Sequence, residues 1–423
     1  MRFRPALLAA LTLIFTLLVA GSVSAGAAGK GKAKADESPT GTPVIYFAAD
    51  GMRPDLVDKY AMQGAMPTMR QLMNTGLKGQ NGLLQGFPPN TGVGWYTLST
   101  GTWPGEHGST NNTFHRVGEG NFNNSTSFAT TGILQADHIA QSAERSGKTV
   151  VSMEWVGSRG LVPALQGPVV DFRTFIGGRG IVLNYDLPGQ PALANSFGVQ
   201  YQRQTLADAA GWTNVPASFS PAKQTTFTHA NAQIPGGGVW DLYIYDSTNN
   251  GTVNYDHVLI VNSADAKDGS KAVANLMRGE WADAKLKLVS GALAGKTAGF
   301  YAKLIDLNAD ASQFRLYFTS VQRLNASYNA LGPAGSDAFA ETLAANFPTS
   351  TAADFAPLEA LIVDEDTYVE QGLMWADAHF AYLNYIVNTL GYKPDVLFLG
   401  NPVTDEFSHQ FLGLLTKTDP DGR

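Results

Sequence analysis

The sequence predicts an α/β fold, a mainly parallel sheet flanked by helices with a β-rich insertion, and three observations carry that prediction. Two runs, VIYFAA from Val44 and VLFLG from Val396, are continuously apolar, as strands covered on both faces of a parallel sheet are. Helical and strand patterns alternate over 43–174 and again over 352–423, the signature of helices packed on such a sheet. Between them, over 175–351, segments such as WDLYIYD, HVLIVN and QFRLYFTSV alternate apolar and polar residues between Gly, Asn, Asp and Ser.

Taken in order, residues 1–25 read as a signal peptide. Arg2 and Arg4 precede an apolar stretch, and Val23-Ser24-Ala25 resembles a small-residue cleavage site. Residues 26–42 are small, charged and aperiodic, a flexible linker. No later run approaches the ~20 apolar residues of a spanning helix, so the expectation is a secreted or extracytoplasmic protein with no membrane span after cleavage. The chain has 423 residues and no cysteine, which excludes disulfides, thiolate metal sites and a cysteine nucleophile. Its net charge of -7, without a basic cluster, argues against a nucleic-acid-binding surface.

The first part of the core, 43–174, opens on the Val44 strand. MPTMRQLMNTG then spaces Met66, Met69, Leu72 and Met73 as a helix with a packed face, ending before Gly76. A further helix closes near Gly147 and leads to a strand over 149–155. The middle, 175–351, reads as a β-rich insertion with one wet face: Phe314, Leu316 and Phe318 point one way, Arg315, Tyr317 and Thr319 the other. It is expected to stand as a separate unit beside the sheet. The second part of the core, 352–423, carries a helix whose apolar stripe runs Val369, Leu373, Ala376, Phe380, Leu383, Val387, Leu390, capped by Gly391.

Three places could hold chemistry. Asp50 ends the first apolar strand and meets Gly51, at the edge of a parallel sheet where ligands gather; a turn aspartate is the plain alternative. Asp405 and His409 lie four apart just past the second strand, able to reach one cation from one helical turn or to form an ordinary surface pair. Thr91 opens a helix, where free N–H groups and the dipole favour a phosphate; an N-cap is the plain reading. Gly92 and Gly94 cost helix stability and are expected to let a ligand approach the backbone.

Four pieces in order, VIYFAADGMRPD, MPTMRQLMNTG, NTGVGWYTLSTGTWPGEHG and PDVLFLGNPVTDEFSHQFLG, resemble the type I phosphodiesterase / nucleotide pyrophosphatase family of the alkaline phosphatase superfamily. The run from Tyr96 to Gly108 is the most specific of them. The resemblance implies an alkaline-phosphatase-like fold and two divalent metal ions, usually zinc. It implies that Asp50 ligates one ion, that Thr91 is the nucleophile bound to that same ion, and that Asp405 and His409 ligate the other. The substrate would be a small phosphoester, possibly a nucleotide, cleaved through a phosphothreonine later hydrolysed by water. His107 matches a structural position; His115 and His379 match none.

The sequence departs from the family pattern twice. Gly94 stands where an asparagine usually helps hold the phosphoryl group, a task Asn90 or a group from the insertion could take. The family's Asp-His pair and further histidine are absent after His409, so the second part of the core is expected to be incomplete and the chain poorly active by itself. Two other readings remain open on the residues. One is another superfamily hydrolase, a phosphonoacetate hydrolase or phosphomonoesterase; the other is an inactive secreted binding protein.

Overall fold

A computed structural model describes residues 41–80, 83, 85–187 and 198–415. The signal peptide and nearly all of the linker read from the sequence lie outside the described residues.

The chain enters at β1 (Val44–Ala49), followed by α1 (Pro54–Met62), α2 (Pro67–Thr75), α3 (Thr91–Thr100) and α4 (Pro104–His107). A two-residue ribbon, β2 (Thr113–Phe114) and β3 (Thr126–Ser127), precedes α5 (Ile139–Arg145), β4 (Val150–Met153) and β5 (Pro168–Phe175). The middle comprises β6 (Arg179–Leu183), β7 (Val199–Arg203), β8 (Ala207–Asp208), β9 (Lys223–Thr228), β10 (Val239–Tyr245), β11 (His257–Asn262) and β12 (Ala274–Met277). It continues through β13 (Trp281–Lys287), β14 (Thr297–Leu307), β15 (Phe314–Phe318) and β16 (Gln322–Tyr328) into α6 (Gly332–Asn346). Then come α7 (Phe355–Glu359), α8 (Glu365–Asn384), β17 (Val396–Asn401) and α9 (Val403–Phe411).

Among the described residues, ten strands form one sheet in the order β1-β17-β4-β5-β16-β14-β15-β6-β7, with β13 added on β14. The first four strands are parallel, and β1 pairs with β17 from Val44↔Val396 to Ala49↔Asn401. Beyond β5 the pairings turn antiparallel as far as β6, and β7 pairs with β6 in parallel. This is a mixed α/β sheet flanked by helices. The β-rich middle is not a unit standing beside the sheet, because six of its strands prolong it. Only β8 to β12 form a second sheet, stacked through Phe227, Trp240, Phe300, Phe314 and Phe318.

The expected wet face of β15 is dry as well. Tyr317 is fully buried among Ala356, Ile362 and Val363 and donates to Gln371 Oε1 at 3.0 Å. Helix α8 and the π-helical turn Tyr385–Thr389 that continues it also bury a face one step from the predicted stripe: Tyr368, Trp375, Tyr382 and Ile386 are inside, while Phe380 and, just past the turn, Leu390 are exposed. The three aromatics offer more apolar area than the aliphatics, and their polar tips find partners: Tyr368 bonds Glu406 O, Trp375 bonds His379, Tyr382 bonds Pro348 O. The methionine face of α2 is only half-buried, with Leu72 exposed and no residue of that helix fully inside.

A buried charged group lies behind the carboxyl end of β4. Glu154, at a φ of +48°, accepts from Arg173 Nη2 at 3.0 Å and faces His379 Nε2 at 3.3 Å. Arg173 Nη1 donates to Thr351 O at 2.5 Å. Neighbouring Asp171 accepts backbone N–H bonds from Phe172 and Arg159, yet burial, and then the Glu154 charge, push it up to about 6. The folded chain thus favours its neutral form, a contribution present below about pH 4 and lost as pH rises through 6. Urea unfolding should show the native chain losing up to about 3 kcal/mol between pH 4 and pH 8 relative to Asp171→Asn, at ~1.36 kcal/mol per unit. Parallel stability curves for the two proteins would refute this.

Candidate active site

Because β1 and β17 are adjacent and parallel, their carboxyl ends set Asp50 beside the turn into α9. Asp50 N donates to Asn401 O at 3.0 Å, and Thr404 Oγ1 donates to Asp50 O at 2.6 Å. Asn401 Oδ1 takes the Val403 N–H, starting α9 with Asp405 and Glu406 in its positively polarised first turn. Gly51 adopts a φ of +65°, and a Cβ there would stand 2.7 Å from Asp405 Cα and 2.9 Å from its Oδ1. A glycine is required on both counts. Gly51→Ala is expected to cost about 2 kcal/mol or more and to push Asp405 off Asp50; an unchanged melting temperature would contradict that packing.

The two carboxylates feel one another. Burial pushes Asp405 above the usual carboxylate range, Asp50 adds to it, and His409 opposes it. His409 Nε2 lies 3.3 Å from Asp405 Oδ2 across one turn of α9. Glu406, which sequence reading passed over, is pushed up to about 7 by burial and then by Asp405. Its place directly after Asp405 was the available signal.

Thr91 is the first residue of α3, half-buried, and Asn90 rather than Thr91 is its N-cap. One turn on and on the same face, Trp95 donates its indole N–H to Asp50 Oδ2 at 3.0 Å. That bond fixes the Thr91 end of the helix to the Asp50 strand. Trp95 is itself held edge-on against Trp155, ring centroids 5.0 Å apart.

The helix N-terminus is less free than the sequence suggested. Gly92 N donates to Asn112 Oδ1 at 2.7 Å and Val93 N to Asn90 Oδ1 at 3.3 Å. Asn90 Nδ2 in turn donates to Asn111 Oδ1 at 2.6 Å. Asn111 and Asn112 thus surround Thr91's helix end; only their polarity in STNNT marked them in the sequence. Gly92 leaves room for protein, since a Cβ would meet Asn111 O and Phe128 at 2.8 Å, whereas nothing stands within 4 Å of one at Gly94.

His107 is buried and bonded twice, to Thr97 Oγ1 at 3.1 Å and from Ser109 N at 3.2 Å, in a structural role. His115 contacts Asn124 O, and His379 belongs to the Glu154 group. Among the described residues, no group of three or more His, Cys, Asp or Glu side chains is arranged to hold a metal ion. Asp50 and Asp405 at the ends of β1 and α9, with His409 beside Asp405, nevertheless offer carboxylate and imidazole donors, types that suit zinc or a similar cation.

Among curated proteins and among solved structures, none matches this chain. A protein-family model does, over residues 44–345, a span that holds Asp50 and Thr91 and stops before Asp405 and His409. With more than half of its length matched, the chain belongs to the type I phosphodiesterase / nucleotide pyrophosphatase family.

Proposed function

We propose that the protein is an exported, metal-dependent phosphodiesterase or nucleotide pyrophosphatase that works through a phosphothreonine at Thr91. The observation that carries this reading is the Trp95–Asp50 bond, which ties the helix opening on Thr91 to the strand end against which Asp405 packs.

Asp50 and Thr91 would hold one divalent ion, Asp405 and His409 a second, zinc being the family's usual metal. Such ions supply charge stabilisation for the attacking and leaving oxygens and lower the proton affinity of a hydroxyl. Thr91 Oγ1 forms a bond to phosphorus as the bond to the leaving oxygen breaks, and its proton passes to the leaving group or solvent. Water then cleaves the Thr91 ester, releasing the phosphoryl product and restoring the hydroxyl. Open space at Gly94 leaves room for the phosphoryl group, and the Asn90, Asn111 and Asn112 amides gather at the start of the same helix. Asn90 and Asn112 are already bonded to the helix, so they orient Thr91 before any ligand arrives.

Comparing bis-p-nitrophenyl phosphate with p-nitrophenyl phosphate tests the substrate class. A preference for the diester is expected; a preference for the monoester would favour a phosphomonoesterase. A second reading, kept because no three-ligand group is ready formed among the described residues, is a binding protein without turnover. Zinc-loaded protein that cleaves neither ester would establish it.

A further inference from the structure

Apart from the Asp50 region, one cavity collects positive charge on a protein whose net charge is -7. It measures about 280 Å³ and is bordered by Arg159, Lys296, Arg323, Asn325, Ser327 and Asp337, where β5, β16 and α6 meet. Three cationic residues and one carboxylate line it, with Glu341 bonded to Arg323 and Asp171 feeling the Arg159 charge close by. Lys296 pairs with that carboxylate, Asp337. Arg323 is 6 % exposed and spends only Nη1 on protein, donating to Thr297 O at 2.5 Å and Glu341 Oε2 at 3.0 Å. Glu341 must also serve Lys287, so it does not neutralise Arg323 by itself. The Nε and Nη2 side of the guanidinium makes no hydrogen bond among the described residues. Arg159 is exposed; Asp171 takes its backbone N–H, and its side chain forms no ion pair among the described residues.

We infer that this cavity is a second anion site, taking a compact tetrahedral dianion such as phosphate or a small phosphate monoester. The Arg323 N–H groups that make no hydrogen bond are left to bind an acceptor, and planar N–H pairs match oxyanion geometry. Asn325 and Ser327 add neutral polar groups at the rim. The volume is too small for a polymer and suits one charged group with a short substituent. The strands beneath it are three and four places from β1 in the sheet, about 14–19 Å at the ~4.8 Å strand spacing. The cavity lining includes none of Asp50, Thr91, Asp405 or His409, so the inference does not depend on the proposed reaction.

Isothermal titration of the chelator-treated full chain with inorganic phosphate, with sulfate in a parallel arm, tests this. One saturable site is expected, weakened by added sodium chloride. Arg323→Gln should weaken it about tenfold or more, the worth of a charged hydrogen bond. Arg159→Ala should weaken it several-fold, and this exposed position serves where Arg323→Gln fails to fold. Asp50→Asn should leave it unchanged. Sulfate binding alongside phosphate supports a tetrahedral-dianion site, and phosphate alone supports a phosphate-selective one. No saturable binding, or binding lost in Asp50→Asn and intact in Arg159→Ala, would overturn the inference.

Discussion

Thr91→Ala should reduce hydrolysis of bis-p-nitrophenyl phosphate to background, a loss of at least about 10³-fold, as removal of a covalent nucleophile does. The fold should survive, because the capping bonds of α3 come from Asn90 and Asn112 and not from Thr91. Thr91→Ser keeps a hydroxyl at the same helix position and should retain measurable turnover. Quenching the native reaction in acid should trap phosphate on Thr91, read by mass spectrometry. Normal turnover by the alanine variant would reduce Thr91 to an ordinary first-turn residue.

Removing metal should be as severe. Without a cation, burial and then the Asp50 charge hold Asp405 above the usual carboxylate range in the half-buried first turn of α9, and His409 counters them. Exhaustive chelation is expected to abolish turnover and zinc to restore it, whereas Asp405→Ala should not be restored at the same zinc concentration. The melting temperature of the native chain should rise on adding zinc, since a ligand bound only to the folded state stabilises it. That rise should shrink in Asp405→Ala and His409→Ala. Full activity after chelation would end the metal-dependent mechanism.

Much of the site was legible because its parts are local. An apolar run ending in Asp50-Gly51, a second ending before Asp405, and Thr91 at a helix start each follow from short-range pattern. That the strands leading to Asp50 and to Asp405 lie side by side was not, since the register Val44↔Val396 joins strands separated by more than 300 residues. Trp95 illustrates the limit: it reads as one more apolar residue in α3, and its indole bond to Asp50 exists only once both elements are placed. The same holds for the Gly92 and Val93 amides, which looked free and are capped by a remote asparagine and by Asn90. In the fold, alternation correctly marked strands through the middle region. It did not reveal that β6, β7 and β13 to β16 extend the central sheet, nor that α7 and α8 dry the outer face of β15. Which strand pairs with which depends on long-range burial, and aromatic bulk moved the buried face of α8 away from its aliphatic stripe.

The account rests on Asp50, Thr91, Asp405 and His409 forming one metal-bearing site. Anomalous diffraction at the zinc edge, from crystals of chelated protein soaked in zinc, tests that most directly. The account predicts density at the carboxyl ends of β1 and β17, with Asp405 and His409 donor atoms about 2.0–2.2 Å from one peak and any second peak beside Asp50 and Thr91. Zinc found only elsewhere, or no peak in protein that still cleaves the diester, would contradict it.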